Sequence, residues 1–289
     1  MKIDLFVNAN TQAQDALLAA GVCQAEDFAG IFELDAASEQ FAALIEVTTG
    51  MEAGWLNPVV SFSKKEIAGA LFLRVRCRKT VACSRLDDDR NLEHIEQQPW
   101  IDAGAAHGKI RVGSAVVLSK VGSVKPNSVA GVGEWMNEFV VGQAVEQAWS
   151  EAGFSGFSMH AVRHSKTDQV FTEIKQLQVD SFMPPMHFDH SMRLHADSPA
   201  PRPLGGLVYA EALSPTTLQD FNRTAEAFTG QSMPDFVVSQ AVAAQFAEKK
   251  FRGWAFEPVL EVGTDLYDEH SEQWAKLNSL VESTQAFFF

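Results

Sequence analysis

The stretch Phe139-Val140-Val141-Gly142-Gln143-Ala144-Val145 returns as Phe236-Val237-Val238-Ser239-Gln240-Ala241-Val242, an offset of 97 (236 minus 139). The same offset, without a gap, pairs Phe154 with Phe251, Gly156 with Gly253, Val162 with Val259, and Thr167-Asp168 with Thr264-Asp265. Sequence repeated at this length is first a statement about architecture, because each copy is one supersecondary unit whose apolar face is buried by its neighbour. In the first copy Val141, Ala144, Val145, Ala148, Trp149 and Ala152 recur at helical spacing. The second copy keeps Val238, Ala241, Val242 and Phe246 but carries Gln245 where the first has Ala148. Gly153 supplies a C-terminal stop for the first helix, and Lys249-Lys250 places positive charge at the carbonyl end of the second. Each helix leads through Phe-x-Gly into a strand, Phe157 to Val162 or Trp254 to Val262. The retained Gly156 and Gly253 point to positive φ or tight packing.

The expected fold class is α+β: an N-terminal α/β unit over residues 1–108, then duplicated strand-helix-strand units within 109–198 and 199–289. In the first segment Lys2 to Val7, Gly30 to Leu34 and Asn57 to Ser63 read as strands. Ser38 caps a helix to about Val47, and Ser63 caps a short one from Lys64 to Ala70. Lys109 to Ser119 and Glu173 to Val179 are strand-like. Pro184-Pro185 and then Pro199, Pro201 and Pro203 mark the boundary between the halves. Asp268 to about Gln285 reads as a final helix, with Trp274, Leu277 and Val281 on one face.

Net charge is −14, and its distribution is uneven. Nine acids lie between Met1 and Glu52 against Lys2 alone, and seven lie between Glu257 and Glu282 against Lys276. Such fields repel nucleic acid and attract basic partners. No apolar run reaches the length of a signal peptide or of a membrane span. Cys23, Cys77 and Cys83 are an odd number without Cys-x-x-Cys spacing, which argues against a disulfide framework or a zinc ribbon. A soluble cytoplasmic protein is the expectation, with no nucleic-acid or membrane partner and with the oligomeric state open.

Three places invite a functional reading. Leu71, Leu73, Val75 and Cys77 alternate with Arg74, Arg76 and Arg78, the pattern of a half-buried strand with a basic face. Those arginines receive an anionic group, or they pair with the acidic N-terminal segment; the net charge favours pairing. Asp87-Asp88-Asp89 precedes a helix expected over Asn91 to Gln98, where acids complement the dipole. Ligand spacing for a cation is absent there. His187-Phe188-Asp189-His190 is the one imidazole-carboxylate cluster, the right ligand set for zinc or iron. It lacks both a further histidine at position 185, which is proline, and a second ligand cluster. No Gly-x-Ser-x-Gly, P-loop or Gly-x-Gly-x-x-Gly stretch is present.

The order of Phe-Val-Val-Ser, helix, small-Phe-x-Gly and an aromatic strand ending in Pro-Val (Phe236 to Val259), with the Gln-Leu-x-Val strand at Gln176 to Val179, resembles bacterial immunity proteins of polymorphic toxin systems. The nearest group includes the myxobacterial proteins named for a doubled Cys-x-x-Cys-Gly motif. The resemblance covers the C-terminal two thirds and implies a protein that binds and neutralises a cognate toxin domain. Cys-x-x-Cys-Gly is missing from this chain, so no metal carries over, and the family's motifs supply no catalytic residue. The expected function is therefore binding, without a cofactor. Because the repeat helices bury their stripes, the partner should meet exposed acids outside them: Asp265, Asp268, Glu269 and Glu272 first, then Asp87, Asp88, Asp89 and Glu93. The alternative is a metal-dependent hydrolase built on His187, Asp189 and His190.

Overall fold

The computed structural model describes residues 2–9, 11–24, 31–35, 38–49, 55–81, 83–85, 92–95, 109–112, 116–121, 124–132, 135–187, 192–194, 201–203, 206–228, 233–272, 275 and 287–288. The chain opens with β1 (Lys2–Asn8), α1 (Thr11–Ala19), β2 (Ile31–Asp35), α2 (Glu39–Thr48) and β3 (Trp55–Ser61). Next come α3 (Lys64–Gly69), β4 (Phe72–Cys77), β5 (Thr80–Val81), β6 (Cys83–Arg85), β7 (Leu92–Ile95), β8 (Lys109–Val112) and β9 (Val117–Leu118). The first repeat lies in β10 (Val129–Val132), β11 (Trp135–Gly142), α4 (Gln143–Ala152), β12 (Phe157–His164) and β13 (Val170–Val179). Three short strands follow: β14 (Met192–Leu194), β15 (Pro201–Pro203) and β16 (Val208–Tyr209). The second repeat occupies β17 (Phe221–Phe228), β18 (Met233–Ser239), α5 (Gln240–Glu248) and β19 (Trp254–Pro258), followed by β20 (Leu260–Glu261) and β21 (Phe287–Phe288). The class is α+β.

The N-terminal strands form an antiparallel sheet, β2-β1-β3, joined on its β3 edge by β21 running parallel. Its core is Val7, Ala13, Leu17, Phe41 and Leu44, each from a periodic position of a strand or helix. Ser38 caps α2 as its sequence implies: its hydroxyl accepts the Phe41 N–H at 3.2 Å.

Both repeats fold in the same order, strand, helix, glycine turn, strand, and their strands sit in matching registers. The larger sheet runs β5-β10-β11-β13-β12-β9-β6, and the smaller runs β17-β18-β4-β19. In the larger, Gly142 faces Ile174, Val141 faces Lys175 and Phe157 faces Val179. In the smaller, Ser239 faces Phe72, Val238 faces Leu73 and Trp254 faces Cys77. The partner positions differ by a constant 102 (174 − 72, 175 − 73, 179 − 77). The third strand of the smaller sheet is therefore supplied by β4, from the first eighty residues, while that of the larger sheet follows β12 directly. A residue of the 1–108 segment is thus hydrogen-bonded between two strands of the 199–289 segment.

Glycine fixes how the two sheets meet. Gly156 (φ +88°) and Gly253 (φ +109°) hold conformations that side chains oppose, and a Cβ there would fall 2.3 Å from the Phe221 carbonyl oxygen and 1.7 Å from that of Val129. The neighbouring backbone bonds are reciprocal: Val129 N–H donates to Arg252 O at 2.8 Å, and Phe221 N–H donates to Ser155 O at 3.1 Å. Arg252 and Ser155 are again 97 apart (252 − 155). Between the sheets lies the central core, with Phe139, Val141, Val145 and Trp149 from one repeat against Phe236, Val238, Val242, Phe246 and Trp254 from the other. Phe139 meets Phe236 edge-on at 4.9 Å between ring centroids, and Trp149 stacks on Trp254 at 5.3 Å. Such pairs add about 0.5–1.5 kcal/mol beyond the area they bury. Val140 and Val237 point the other way, into separate clusters, so both copies of Phe-Val-Val are buried on two faces.

Two sequence expectations are corrected. Residues 92–95 are not helical: Leu92–Ile95 pairs antiparallel with Lys109–Val112, because a cross-strand partner outweighs the acids that suggest a helix start. The final helix begins before Asp268, with residues 265–272 helical, because the Thr264 hydroxyl accepts the Tyr267 N–H and so caps the turn. Its expected continuation through 276–285 lies outside the described residues.

Candidate functional site

Four acids of the helix at 265–272 fall at positions 265, 268, 269 and 272, the spacing that sets side chains on one face. All four are exposed, while Tyr267 and His270 on the opposite face are buried. The helix forms one wall of an open groove of about 720 Å³, with Ala70, Leu71, Val259 and Leu266 among its lining and Glu66, Glu261, Asp265 and Glu269 as its acids. Lys65 is its only lining base, so the lining carries −3 (one base against four acids).

The opposite wall is α3, which buries none of its residues. A capping box holds it: the Ser63 hydroxyl accepts the Glu66 N–H at 3.2 Å, and the Glu66 carboxylate accepts the Ser63 N–H at 2.6 Å. Burial alone would raise the Glu66 carboxyl, but opposing hydrogen bonds, among them those with Ser63, hold it below the ordinary glutamate range. Glu261 is positioned by the Leu213 N–H, which donates to its Oε2 at 3.0 Å. The strand pairing of β20 with β16 and the Val259 N–H bond to Phe72 O (3.0 Å) fix the groove floor to the smaller sheet.

The other sequence-marked residues separate from this place. Asp87, Asp88 and Asp89 lie outside the described residues, and Glu93 sits in β7. Of the imidazole cluster, Asp189 and His190 lie outside the described residues; the His187 N–H donates to Val208 O at 2.8 Å. Among the described residues no group of three or more His, Cys, Asp or Glu is placed to hold a metal ion. Cys23 and Cys77 are in no disulfide.

The arginine face requires a correction. The β4 strand lies between β18 and β19, so Phe72, Leu73, Arg74 and Val75 are all buried, and strict alternation of an apolar and a basic face does not hold. Arg74 pairs inside the protein with Asp235 and, at 3.7 Å, with Glu257. Arg76 pairs with Glu257 at 3.0 Å. Among the described residues their ion-pair partners are acids of the second repeat, where the sequence expectation placed them in the N-terminal segment.

Sequence reasoning passed over the residue one place ahead of each Phe-Val-Val. Glu138 and Asp235 are both acidic, 97 apart (235 − 138), and both buried. Glu138 accepts from Arg223 Nη2 at 2.7 Å, and Arg223 also donates from Nε to Val179 O at 3.0 Å and lies 4.5 Å from the Phe236 ring centroid. The signal was available: an acid retained in register inside an apolar run demands a buried cation. These pairs are sealed in the interior and organise the core rather than meet a ligand. No family model matches the chain, and no curated protein matches it.

Proposed function

We propose that the protein is an immunity-type binding protein, working in the cytoplasm, that neutralises a toxin domain by direct protein contact. The observation that carries this reading is the exposed acidic face of the 265–272 helix beside an open groove, in a chain of net charge −14. A basic partner would be drawn by long-range attraction and held by a few anchors. The sequence resemblance to immunity proteins supports the same class, as does the use of the repeat helices and buried arginines for packing. No helix among the described residues is long and apolar enough to cross a membrane.

Capture of partners from the native strain, identified by mass spectrometry, should recover a protein carrying a toxin domain. Mixing the two should abolish the toxin's activity in stoichiometric proportion. Recovery of no such protein, or a toxin that stays active when bound, would reject the reading.

A further inference from the structure

We infer that the groove between α3 and the 265–272 helix is the seat of an arginine or lysine side chain from an extended basic segment of the partner. This rests on the proposed binding function and names the part of the partner that is gripped. The groove combines the two surfaces a long cationic side chain needs. Ala70, Leu71, Val259 and Leu266 offer aliphatic surface to a stem, while Glu261, Asp265 and Glu269 offer carboxylates to its head. Leu71, part of that lining, is 45% exposed. The volume of about 720 Å³ lies within the roughly 300–1,000 Å³ of sites that enclose a small ligand. A side chain with a few flanking residues fits such a space.

Charge selects the occupant. A second copy of the chain would bring another −14, and a nucleic acid would bring phosphates against the −3 lining. An apolar peptide would leave the carboxylates desolvated without a counter-charge. A basic protein segment meets both the acids and the aliphatic floor.

The test uses the full chain and a defined probe, the acetylated and amidated peptide Gly-Ala-Arg-Leu-Arg-Ala, followed through backbone amide shifts in solution. Saturable shifts should concentrate at residues 63–71 and 259–269, and raising salt from about 0.02 to about 0.3 M should weaken binding by roughly tenfold. The Asp265→Asn/Glu269→Gln variant should lose about tenfold in affinity, and Leu71→Ser about threefold. The Asp15→Asn/Glu46→Gln control alters exposed acids of the N-terminal unit and should leave binding unchanged. A peptide with citrulline in place of arginine should not saturate. Equal binding of the citrulline peptide, shifts spread as strongly over α1 and α2, or no saturable shift would each overturn the inference. The two readings fail separately. If the peptide is ignored while a toxin is captured and silenced, the groove falls and the immunity reading stands. If the peptide binds as described and no toxin is found, the groove stands and the immunity reading falls.

Discussion

Glu138 and Arg223 show what a single buried pair does for this fold. Each side chain is 1% exposed, and they join β11 to β17 across the boundary between the repeats. Removing one partner strands the other charge in the core, so Glu138→Ala or Arg223→Ala should cost about 3–5 kcal/mol. The double change Glu138→Leu/Arg223→Met should cost less than either single one, because neither charge remains to be buried alone. Urea unfolding of the three variants measures this, and a double variant as unstable as the sum of the singles would contradict it. The glycines give a second ordering. Gly253→Ala and Gly156→Ala should each destabilise by at least about 2 kcal/mol, from strained φ together with collision against a carbonyl oxygen. Gly153→Ala should cost only about 1 kcal/mol, since its left-handed conformation is the sole penalty and nothing lies within 4 Å. Both glycine positions were legible from the repeat, whereas what they touch was not. The acids at 138 and 235 were legible as characters in the sequence, but their arginines lie 85 and 161 positions away (223 − 138, 235 − 74), beyond any local pattern.

At the scale of elements, local chemistry read true where it was self-contained. The caps at Ser38 and Ser63 sit at the ends of α2 and α3, and each makes its hydrogen bond within four residues. Ser63→Ala should cost about 1 kcal/mol and, because no residue of α3 is fully buried, the loss should appear as faster amide exchange at residues 64–69 rather than as global unfolding. Unchanged exchange there would show that contact with β19, not the cap, maintains the helix. Elements defined by distant partners were not readable. The acids ahead of Leu92 suggested a helix, but that segment completes a ladder with Lys109–Val112. Alternation along β4 suggested one wet face, but the strand is paired on both edges and Arg74 is buried on that face, leaving Arg76 as the strand's exposed arginine. The acidic face of the 265–272 helix was named in sequence for its charge, while the groove beside it needed α3, β19 and β20 to be assembled.

For the whole molecule, the placement of β4 makes the N-terminal third part of the C-terminal sheet. Amides of β4, β18 and β19 should therefore exchange together, as one cooperative unit, despite a separation of about 160 residues between Arg74 and Val237. Earlier exchange of β4 alone would mean that the smaller sheet holds without it. The external charge acts at the same scale. Asp268→Lys/Glu269→Lys should slow association with the captured partner by roughly tenfold or more at low salt and shift stability by no more than about 0.5 kcal/mol. Stopped-flow mixing against unfolding curves separates these, and unaltered association would remove this surface.

Gln245 and Ala148, which hold matching positions in the two repeat helices (245 − 148 = 97), touch each other: Gln245 Nε2 donates to Ala148 O at 3.2 Å. Counterparts meet there because the two repeat helices face each other, and residues beyond the helices also have counterparts at the same offset. The opposite numbers of Glu261 and Asp265 are His164 and Asp168 (261 − 97, 265 − 97), and Asp168 is already engaged by Arg163 at 3.2 Å. The groove at 261–269 is thus acidic, while its counterpart at 164–168 pairs its one aspartate with an arginine. On the proposed binding function, the acidic groove thus has no equivalent in the other repeat, and one basic partner per chain is the expected stoichiometry.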